Sequence, residues 1–308
     1  MIAPRALGAV RVSPIAFGSM RIHERALDDA AWEALLREAI ERGVTTLHSS
    51  SEYASYPRFR GLVARLRGLP IQHVVKLADP HFGEAGFDAV RLEARVDAYL
   101  AELGAERIDV VQWMWRGDLA DEPGRLAGFD RERGAIRAAF DALRGKGKLG
   151  AVAPFPYTAA FADRVIGGGG PGAGAPDDGG PGSGGSGAGG PLCEGLAVYL
   201  NPAERELLPQ IRAAARAGMG TVAIRPLAAG KAVAAAAPAA AAAAAPPVAA
   251  GAAGAPAARP PGAAGAPAAR PPGAADCVRE VLAEPGVATA VVTFSSRAHL
   301  DELCAGAT

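Results

Sequence analysis

The chain has 308 residues with 32 Lys and Arg against 32 Asp and Glu, so its formal net charge is zero. A balanced chain lacks the basic excess of nucleic-acid-binding domains, and we therefore expect no nucleic-acid partner. Its three cysteines, Cys193, Cys277 and Cys304, show neither metal-ligand nor disulfide spacing, so the sequence predicts no metal. The start, Met-Ile-Ala-Pro-Arg, shows no apolar signal segment, and the expected location is a reducing cytoplasm.

Two low-complexity segments interrupt the chain. Residues 167–191 are almost all Gly, Pro, Ala and Ser, and residues 231–275 are almost all Ala, Pro and Gly. Neither composition buries enough apolar surface to offset the entropy of ordering, so both are predicted to be disordered inserts. Prolines break the uncharged run after Lys231, which is therefore not a membrane span. The remainder is close to the roughly 250 residues of one (β/α)8 barrel.

The elements alternate between helix and strand along the chain. Apolar residues at helical spacing and a glycine stop predict a helix from Asp29 to Arg42. With a strand in Val12–Met20, the alternation gives eight strands and predicts a single-domain (β/α)8 TIM barrel over residues 1–308. The other expected strands are Thr45–His48, Val74–Leu77, Ile108–Met114, Gly150–Ala153, Leu196–Val198, Thr221–Ile224 and a strand through Val292. The other expected helices are Pro57–Leu69, Phe87–Leu103, Glu132–Lys146, Thr158–Ile166, Ala203–Ala217, one from Asp276 and one from Arg297.

Several segments resemble the aldo-keto reductases. Residues 43–53, Gly-Val-Thr-Thr-Leu-His-Ser-Ser-Ser-Glu-Tyr, are similar to that family's second strand, in which Gly, apolar residues, Asp and small polar residues precede a Tyr. The resemblance implies a (β/α)8 barrel that oxidises or reduces a small-molecule carbonyl or alcohol with NADP or NAD. Other similar segments are Val12–Met20, Val74–Lys76, Ile108–Trp115, Gly145–Phe155, Leu207–Pro209, Gly218–Gly220, Ala223–Gly230 and Val291–Leu300.

The resemblance carries over two members of a catalytic quartet and replaces two. Tyr53 matches the tyrosine that gives a proton to the substrate carbonyl, and Lys76 matches the lysine that activates it. The aspartate that pairs with the lysine corresponds to His48, which supplies no negative charge. His48 is itself a third candidate catalytic residue, as a second titrating group near Tyr53. Met114 stands where the family has a histidine that orients the carbonyl, and a thioether has no proton to donate. We therefore expect weak activation of Tyr53, unless Glu52 or Asp79 reaches Lys76.

The cofactor segments also depart from the family pattern. Ala153-Pro154 stands where the family has the Ser-Asn pair that binds the nicotinamide carboxamide, and Leu303 corresponds to an asparagine that contacts adenine. In the phosphate turn, Phe294 is expected to crowd the phosphate. Ser295, Ser296 and Arg297 remain as candidate phosphate ligands at a helix N-terminus. On this alignment the 231–275 insert follows strand seven on the catalytic face, where it either covers the cofactor groove or forms an inert loop.

Two other functions remain open at this stage. The first is a catalytically degenerate barrel that serves as a binding or scaffold module. The second is a non-redox hydrolase or lyase that uses His48, Glu52, Tyr53 and Lys76. A metal site formed by His48, Glu52 and His81 has no supporting ligand spacing.

Overall fold

Eight parallel strands form a nearly closed barrel surrounded by helices, which confirms the predicted (β/α)8 architecture. The computed structural model describes residues 2–167, 192–228 and 273–307. The predicted inserts lie outside the described residues except at their edges. Gly167 ends a helix, and Gly273 caps another helix that contains residues 274 and 275 of the second predicted insert.

Ten strands occur in the described ranges, eight of them in the barrel. A two-stranded antiparallel hairpin, β1 and β2, precedes the barrel. The barrel strands β3 to β10 are hydrogen-bonded in the order β7-β6-β5-β4-β3-β10-β9-β8. The bounds are β1 Arg5–Leu7, β2 Val10–Val12, β3 Ile15–Gly18, β4 Thr46–Ser49, β5 Gln72–Ala78, β6 Ile108–Met114, β7 Leu149–Pro154, β8 Gly195–Tyr199, β9 Gly220–Ile224 and β10 Val287–Val292.

The described helices cover the outside of the barrel. They are α1 Asp29–Glu41, α2 Tyr56–Arg65, α3 Ala89–Leu103, α4 Glu122–Gly145, α5 Ala159–Ile166, α6 Leu208–Arg216, α7 Ala274–Ala283 and α8 Arg297–Ala307. Their apolar faces pack on the outward side chains of the strands to form the larger core. None of these helices is long and apolar enough to cross a membrane.

A second, smaller core fills the interior of the barrel. Small and β-branched side chains such as Val74, Val110 and Ala151 point inward, and the hairpin residues Leu7 and Val12 pack against them. The hairpin thus fills the end of the barrel at which the strands begin. The sequence prediction missed it because its strands are only three residues long.

The barrel closes between β7 and β8 through one residue. The Glu194 backbone N–H donates to the Val152 carbonyl at 3.1 Å, and the Glu194 carboxylate accepts from the Val152 N–H at 2.8 Å. Arg144 also donates to this carboxylate at 2.8 Å. Gly8, at the tip of the hairpin, has φ of 59°, and a Cβ there would lie 2.6 Å from the Glu194 side chain. The turn therefore requires glycine for both its conformation and its clearance.

Two predicted helix starts are wrong, and each has a local cause. Helix α4 begins at Glu122 rather than Glu132, because Asp121 caps it by accepting from the Gly124 N–H at 3.0 Å. Helix α6 begins at Leu208 rather than Ala203, because the Asn201 carboxamide holds the preceding residues in a turn. In the first case, glycines weaken the helical pattern. In the second, the asparagine side chain satisfies backbone groups that a helix would otherwise use.

Candidate functional site

A cavity of about 390 Å³ opens where the barrel strands end. Every barrel strand contributes to its lining, either from its last residues or from the segment that follows. The lining residues are Gly18, Met20, Arg21, Arg25, His48, Tyr53, Lys76, Gln112, Met114, Phe155, Tyr157, Tyr199, Ile224, Arg225, Pro226, Leu227, Val291, Val292 and Thr293. Active sites of (β/α)8 enzymes lie at this face of the barrel. The cavity is therefore the candidate active site.

The three predicted catalytic residues lie together in this cavity. His48 is the second-last residue of strand β4, Tyr53 lies in the segment that follows, and Lys76 is near the end of β5. The His48 and Tyr53 ring centroids are 6.1 Å apart, and the Lys76 Nζ lies 5.6 Å from the Tyr53 ring centroid. In sequence, Lys76 is more than twenty residues from either, so the parallel pairing of β4 with β5 brings them together.

Lys76 has a carboxylate partner despite the histidine at position 48. Its Nζ donates to Glu52 Oε2 at 2.6 Å. Arg116 donates to the same oxygen at 2.7 Å, and its other terminal nitrogen pairs with Glu52 Oε1. Asp79, the other candidate partner, is buried and pairs with Arg91 and Arg95 instead. Glu52 is therefore the carboxylate that neutralises Lys76, since residue 48 is a histidine.

These contacts keep the Glu52 carboxylate ionised. Burial alone raises its pKa, but the hydrogen bonds from Arg116 and Lys76 outweigh burial and lower the pKa from 4.5 to about 2. The carboxylate is therefore charged across the neutral range, with two cations on it. Such a group holds other charges in place, and it is too weak a base to remove a proton from a substrate at neutral pH.

The Tyr53 phenol remains protonated near neutral pH. Burial raises its pKa, and the nearby charge of Glu52 raises it further. Its hydroxyl makes no hydrogen bond to any residue that the structure describes, so the proton is available to a molecule in the cavity. Tyr53 is therefore available as a proton donor. The ammonium group of Lys76 is paired with the Glu52 carboxylate, which partly neutralises its charge.

His48 is neutral in the cavity wall. It is almost fully buried, and burial together with the Lys76 charge lowers its pKa to about 4 despite an opposing hydrogen bond with Gln112. The His48 Nε2 and Gln112 Oε1 lie 2.7 Å apart, so Nε2 carries the hydrogen and donates. Gln112 in turn directs its amide nitrogen to the Met114 sulfur at 3.9 Å. Met114 lines the cavity and offers no hydrogen-bond donor to a carbonyl.

The segment that carries Glu52 and Tyr53 is anchored by Tyr99 of α3. The Tyr99 hydroxyl accepts from the Ser51 N–H at 2.6 Å and donates to the Ser51 Oγ at 2.7 Å. Tyr99 is buried and lies edge-on to the Tyr56 ring at the start of α2. This contact fixes the backbone immediately before Glu52, and so positions both the counterion and the proton donor.

The expected phosphate ligands lie outside the cavity lining. Ser295 and Ser296 precede α8, and the Ser296 Oγ accepts from the His299 N–H at 3.2 Å as a cap. Arg297 is exposed and directs its Nε to both oxygens of Glu38 at 2.8 Å. Phe294 does not crowd this turn as predicted, because its side chain is fully buried against Phe17, with ring centroids 5.0 Å apart.

At the opposite end of the expected cofactor site, the two positions expected to bind the carboxamide carry no polar side chain. Ala153 is buried in the barrel interior, and Pro154 ends β7 beside Trp113 of β6. Neither offers a side-chain hydrogen bond to a carboxamide. Leu303 is buried in the core between α8 and the barrel, so it makes no polar contact with a ligand.

Several cavity residues were not singled out by the sequence, among them Arg21, Arg25, Tyr199 and Arg225. Tyr199 at the end of β8 is 38% exposed, and the Arg225 guanidinium lies 4.3 Å from its ring centroid. Arg225 has φ of 58°, a conformation that is uncommon for a residue with a side chain. The only signal in the sequence was their position, because Tyr199 is the last residue of β8 and Arg225 directly follows β9. Among the described residues, no group of three or more His, Cys, Asp and Glu side chains is placed to hold a metal ion.

No protein-family model matches the chain, and no curated protein is similar to it in sequence. Solved structures are similar in fold. A protein from Pseudomonas aeruginosa described as an aldo-keto reductase has a TM-score of 0.61 at 21% identity, over 99% of this chain and 93% of that one. The holo form of a Bacillus halodurans aldo-keto reductase has a TM-score of 0.62 at 16% identity, over 99% and 91%.

A third similar structure is a Klebsiella pneumoniae aldo/keto reductase in complex with NADP and acetate. It has a TM-score of 0.61 at 18% identity, over all of this chain and 90% of the other. Similarity at this level of identity establishes the fold. The resemblance to aldo-keto reductases drawn from the sequence motifs is therefore confirmed for the fold of this chain.

Proposed function

We propose that this protein is an NAD(P)-linked oxidoreductase that interconverts a small carbonyl compound and its alcohol. The observation that carries the proposal is the convergence of Tyr53 and Lys76 on one cavity, with Glu52 bound to Lys76 at 2.6 Å. A lysine at the end of a barrel strand, paired with a carboxylate and beside a buried phenol, is the arrangement expected of a proton-donating site. The fold similarity to reductases, one of them in complex with NADP, supports this assignment.

Each residue has a distinct role in the proposed reaction. A nicotinamide, when bound, supplies or accepts the hydride. Tyr53 donates its proton to the substrate oxygen during reduction and takes it back during oxidation. Lys76 places a positive charge beside the developing phenolate, and Glu52 holds Lys76 in that position. His48 is a neutral wall residue whose Nε2 hydrogen is directed to Gln112, and the proposed proton transfer does not require it.

The residues present fit one end of a dinucleotide better than the other. Ser295, Ser296 and Arg297 at the start of α8 offer hydroxyl groups, a guanidinium and a helix N-terminus to a phosphate. Ala153 and Pro154 offer no side-chain hydrogen bond to the carboxamide. Each missing hydrogen bond weakens binding by on the order of 1 kcal/mol. We therefore expect dissociation constants above about 1 μM for both NADPH and NADH.

Two observations bear on the alternatives. A hydrolase or lyase that uses Glu52 as its base requires a carboxylate that accepts protons near neutral pH, whereas the pKa of Glu52 is lowered to about 2. A scaffold does not require a tyrosine hydroxyl without a hydrogen-bond partner in a cavity beside a lysine paired with a carboxylate. Both observations favour the oxidoreductase.

Calorimetric titration with NADPH and with NADH, followed by an aldehyde panel monitored through consumption of the reduced nicotinamide, tests the proposal. Saturable binding of at least one dinucleotide and turnover of at least one aldehyde are expected. Absence of binding by both dinucleotides at millimolar concentration contradicts the proposed function. Submicromolar binding leaves the function intact and contradicts the argument from Ala153 and Pro154.

A further inference from the structure

The cavity lining is positive although the chain as a whole is neutral. Four of its residues are Lys or Arg, namely Arg21, Arg25, Lys76 and Arg225, and none is Asp or Glu. The whole sequence contains equal numbers of positively and negatively charged residues, so the positive charge of the lining does not follow from the composition of the chain. A cleft lined by charge of one sign concentrates ligands of the opposite sign.

The arginines differ from Lys76 in lacking a strong carboxylate partner. Lys76 is matched by Glu52. Arg21 has only a loose surface contact to Glu24 at 3.7 Å, and neither Arg25 nor Arg225 has a carboxylate partner among the described residues. Three arginines therefore line the cavity with little compensating negative charge among the described residues. Guanidinium groups bind carboxylate and phosphate through paired hydrogen bonds.

Arg225 is held in position before any ligand binds. Its guanidinium lies over the Tyr199 ring at 4.3 Å, and its carbonyl accepts from the Asn201 amide at 3.1 Å. Its backbone has φ of 58°, and unusual conformations of this kind persist where the surroundings enforce them, often at ligand sites. The same charge opposes the rise in the pKa of Tyr53, so it acts close to the proton donor.

We infer that the substrate carries an anionic group, a carboxylate or a phosphate, close to its carbonyl, and that Arg225 and Arg25 are the residues that select it. This inference rests on the proposed function. The cavity of about 390 Å³ also has to admit the reactive ring of the cofactor, so the substrate is a short molecule. The arginines bind its charged end while Tyr53 meets its carbonyl oxygen.

Matched substrate pairs test the inference. Succinic semialdehyde and butanal differ in the carboxylate, and glyceraldehyde 3-phosphate and glyceraldehyde differ in the phosphate. In the wild type, kcat/KM is expected to be higher for at least one charged member than for its neutral partner. Arg225→Gln and Arg25→Gln are each expected to reduce that ratio about tenfold, the effect of losing one charge-assisted hydrogen bond. Arg65→Gln removes an equal charge from α2 outside the cavity and leaves the ratio unchanged.

The controls separate the possible failures. If the ratio of kcat/KM between charged and neutral substrates is the same in the wild type and in both cavity variants, the inference is overturned. It is also overturned if the variants bind NADPH more weakly while this ratio is unchanged, because the arginines then bind the cofactor. If the wild type reduces no aldehyde, the proposed function fails and a second arm decides. In that arm, succinate and inorganic phosphate are titrated into the wild type and Arg225→Gln without dinucleotide. Binding that the variant weakens supports the anion site, and equal or absent binding overturns it.

Discussion

Replacement of Glu52 by glutamine removes the one carboxylate that joins Lys76 to Arg116. The Arg116 side chain is only 7% exposed, so the substitution leaves a buried cation without a counterion. Lowering the pKa of Glu52 from 4.5 to about 2 corresponds to about 3 kcal/mol of stabilisation in the absence of screening. Because the residue is partly exposed to solvent, screening reduces the expected contribution to about 1–2 kcal/mol.

The pH dependence follows from the sign of that shift. A carboxyl group whose pKa is lowered by folding stabilises the folded state fully above its ordinary value of 4.5, and the stabilisation disappears as the pH falls through about 2. Urea denaturation at neutral pH is therefore expected to show Glu52→Gln to be less stable than the wild type by about 1–2 kcal/mol, with the gap closing between these two pH values.

A surface control distinguishes this triad from an ordinary ion pair. Glu33 pairs with Arg37 one helical turn away on α1 and with Arg65 of α2, and both arginine side chains are exposed to solvent. Glu33→Gln is therefore expected to change the free energy of unfolding by less than about 0.5 kcal/mol. If Glu52→Gln is as stable as the wild type at neutral pH, or if its deficit does not depend on pH, Glu52 is not the counterion that holds Lys76 and Arg116.

Two further variants test the positions around the proton donor. His48→Asp combined with Met114→His supplies a second counterion and a donor for the carbonyl, and should raise aldehyde reduction by roughly tenfold in steady-state assays; an unchanged rate in a protein that binds dinucleotide and aldehyde contradicts the quartet alignment. Tyr99→Phe removes both hydrogen bonds to Ser51, and should lower the free energy of unfolding by about 1–2 kcal/mol together with kcat. A urea midpoint and a kcat equal to those of the wild type argue against Tyr99 as the positioning residue.

The regular parts of the fold were predictable from local patterns. Strand β6 matches its predicted bounds, and α1 differs by one residue, because continuous apolar runs and helical spacing with a glycine stop are local signals. The hairpin β1–β2 was missed because its short strands are stabilised by contacts with the barrel interior and not by their own pattern. The start of α4 was missed because the first two turns of the helix contain Pro123, Gly124 and Gly128, which are weak helix formers.

The sequence predicted which catalytic residues lie in the site but only some of the contacts between them. Tyr53 and Lys76 followed from motifs, and the structure places both in the cavity. The pairing of Glu52 with Arg116 joins residues 64 positions apart, and no local pattern indicates it. Phe294 was expected to face the phosphate, but the sequence does not specify the direction of its side chain, which is set by packing against Phe17.

Single-turnover reduction of an aldehyde with Tyr53→Phe and Tyr56→Phe tests the central claim most directly. Both variants remove a tyrosine hydroxyl group, and the two positions are three residues apart. Tyr53 lines the cavity and Tyr56 does not, so Tyr56→Phe is the matched control. With NADPH bound and its absorbance monitored, Tyr53→Phe is expected to slow the reduction at least a hundredfold, the low end of the contribution of a positioned acid. Tyr56→Phe is expected to retain the wild-type rate. Equal rates in the wild type and Tyr53→Phe would contradict the account.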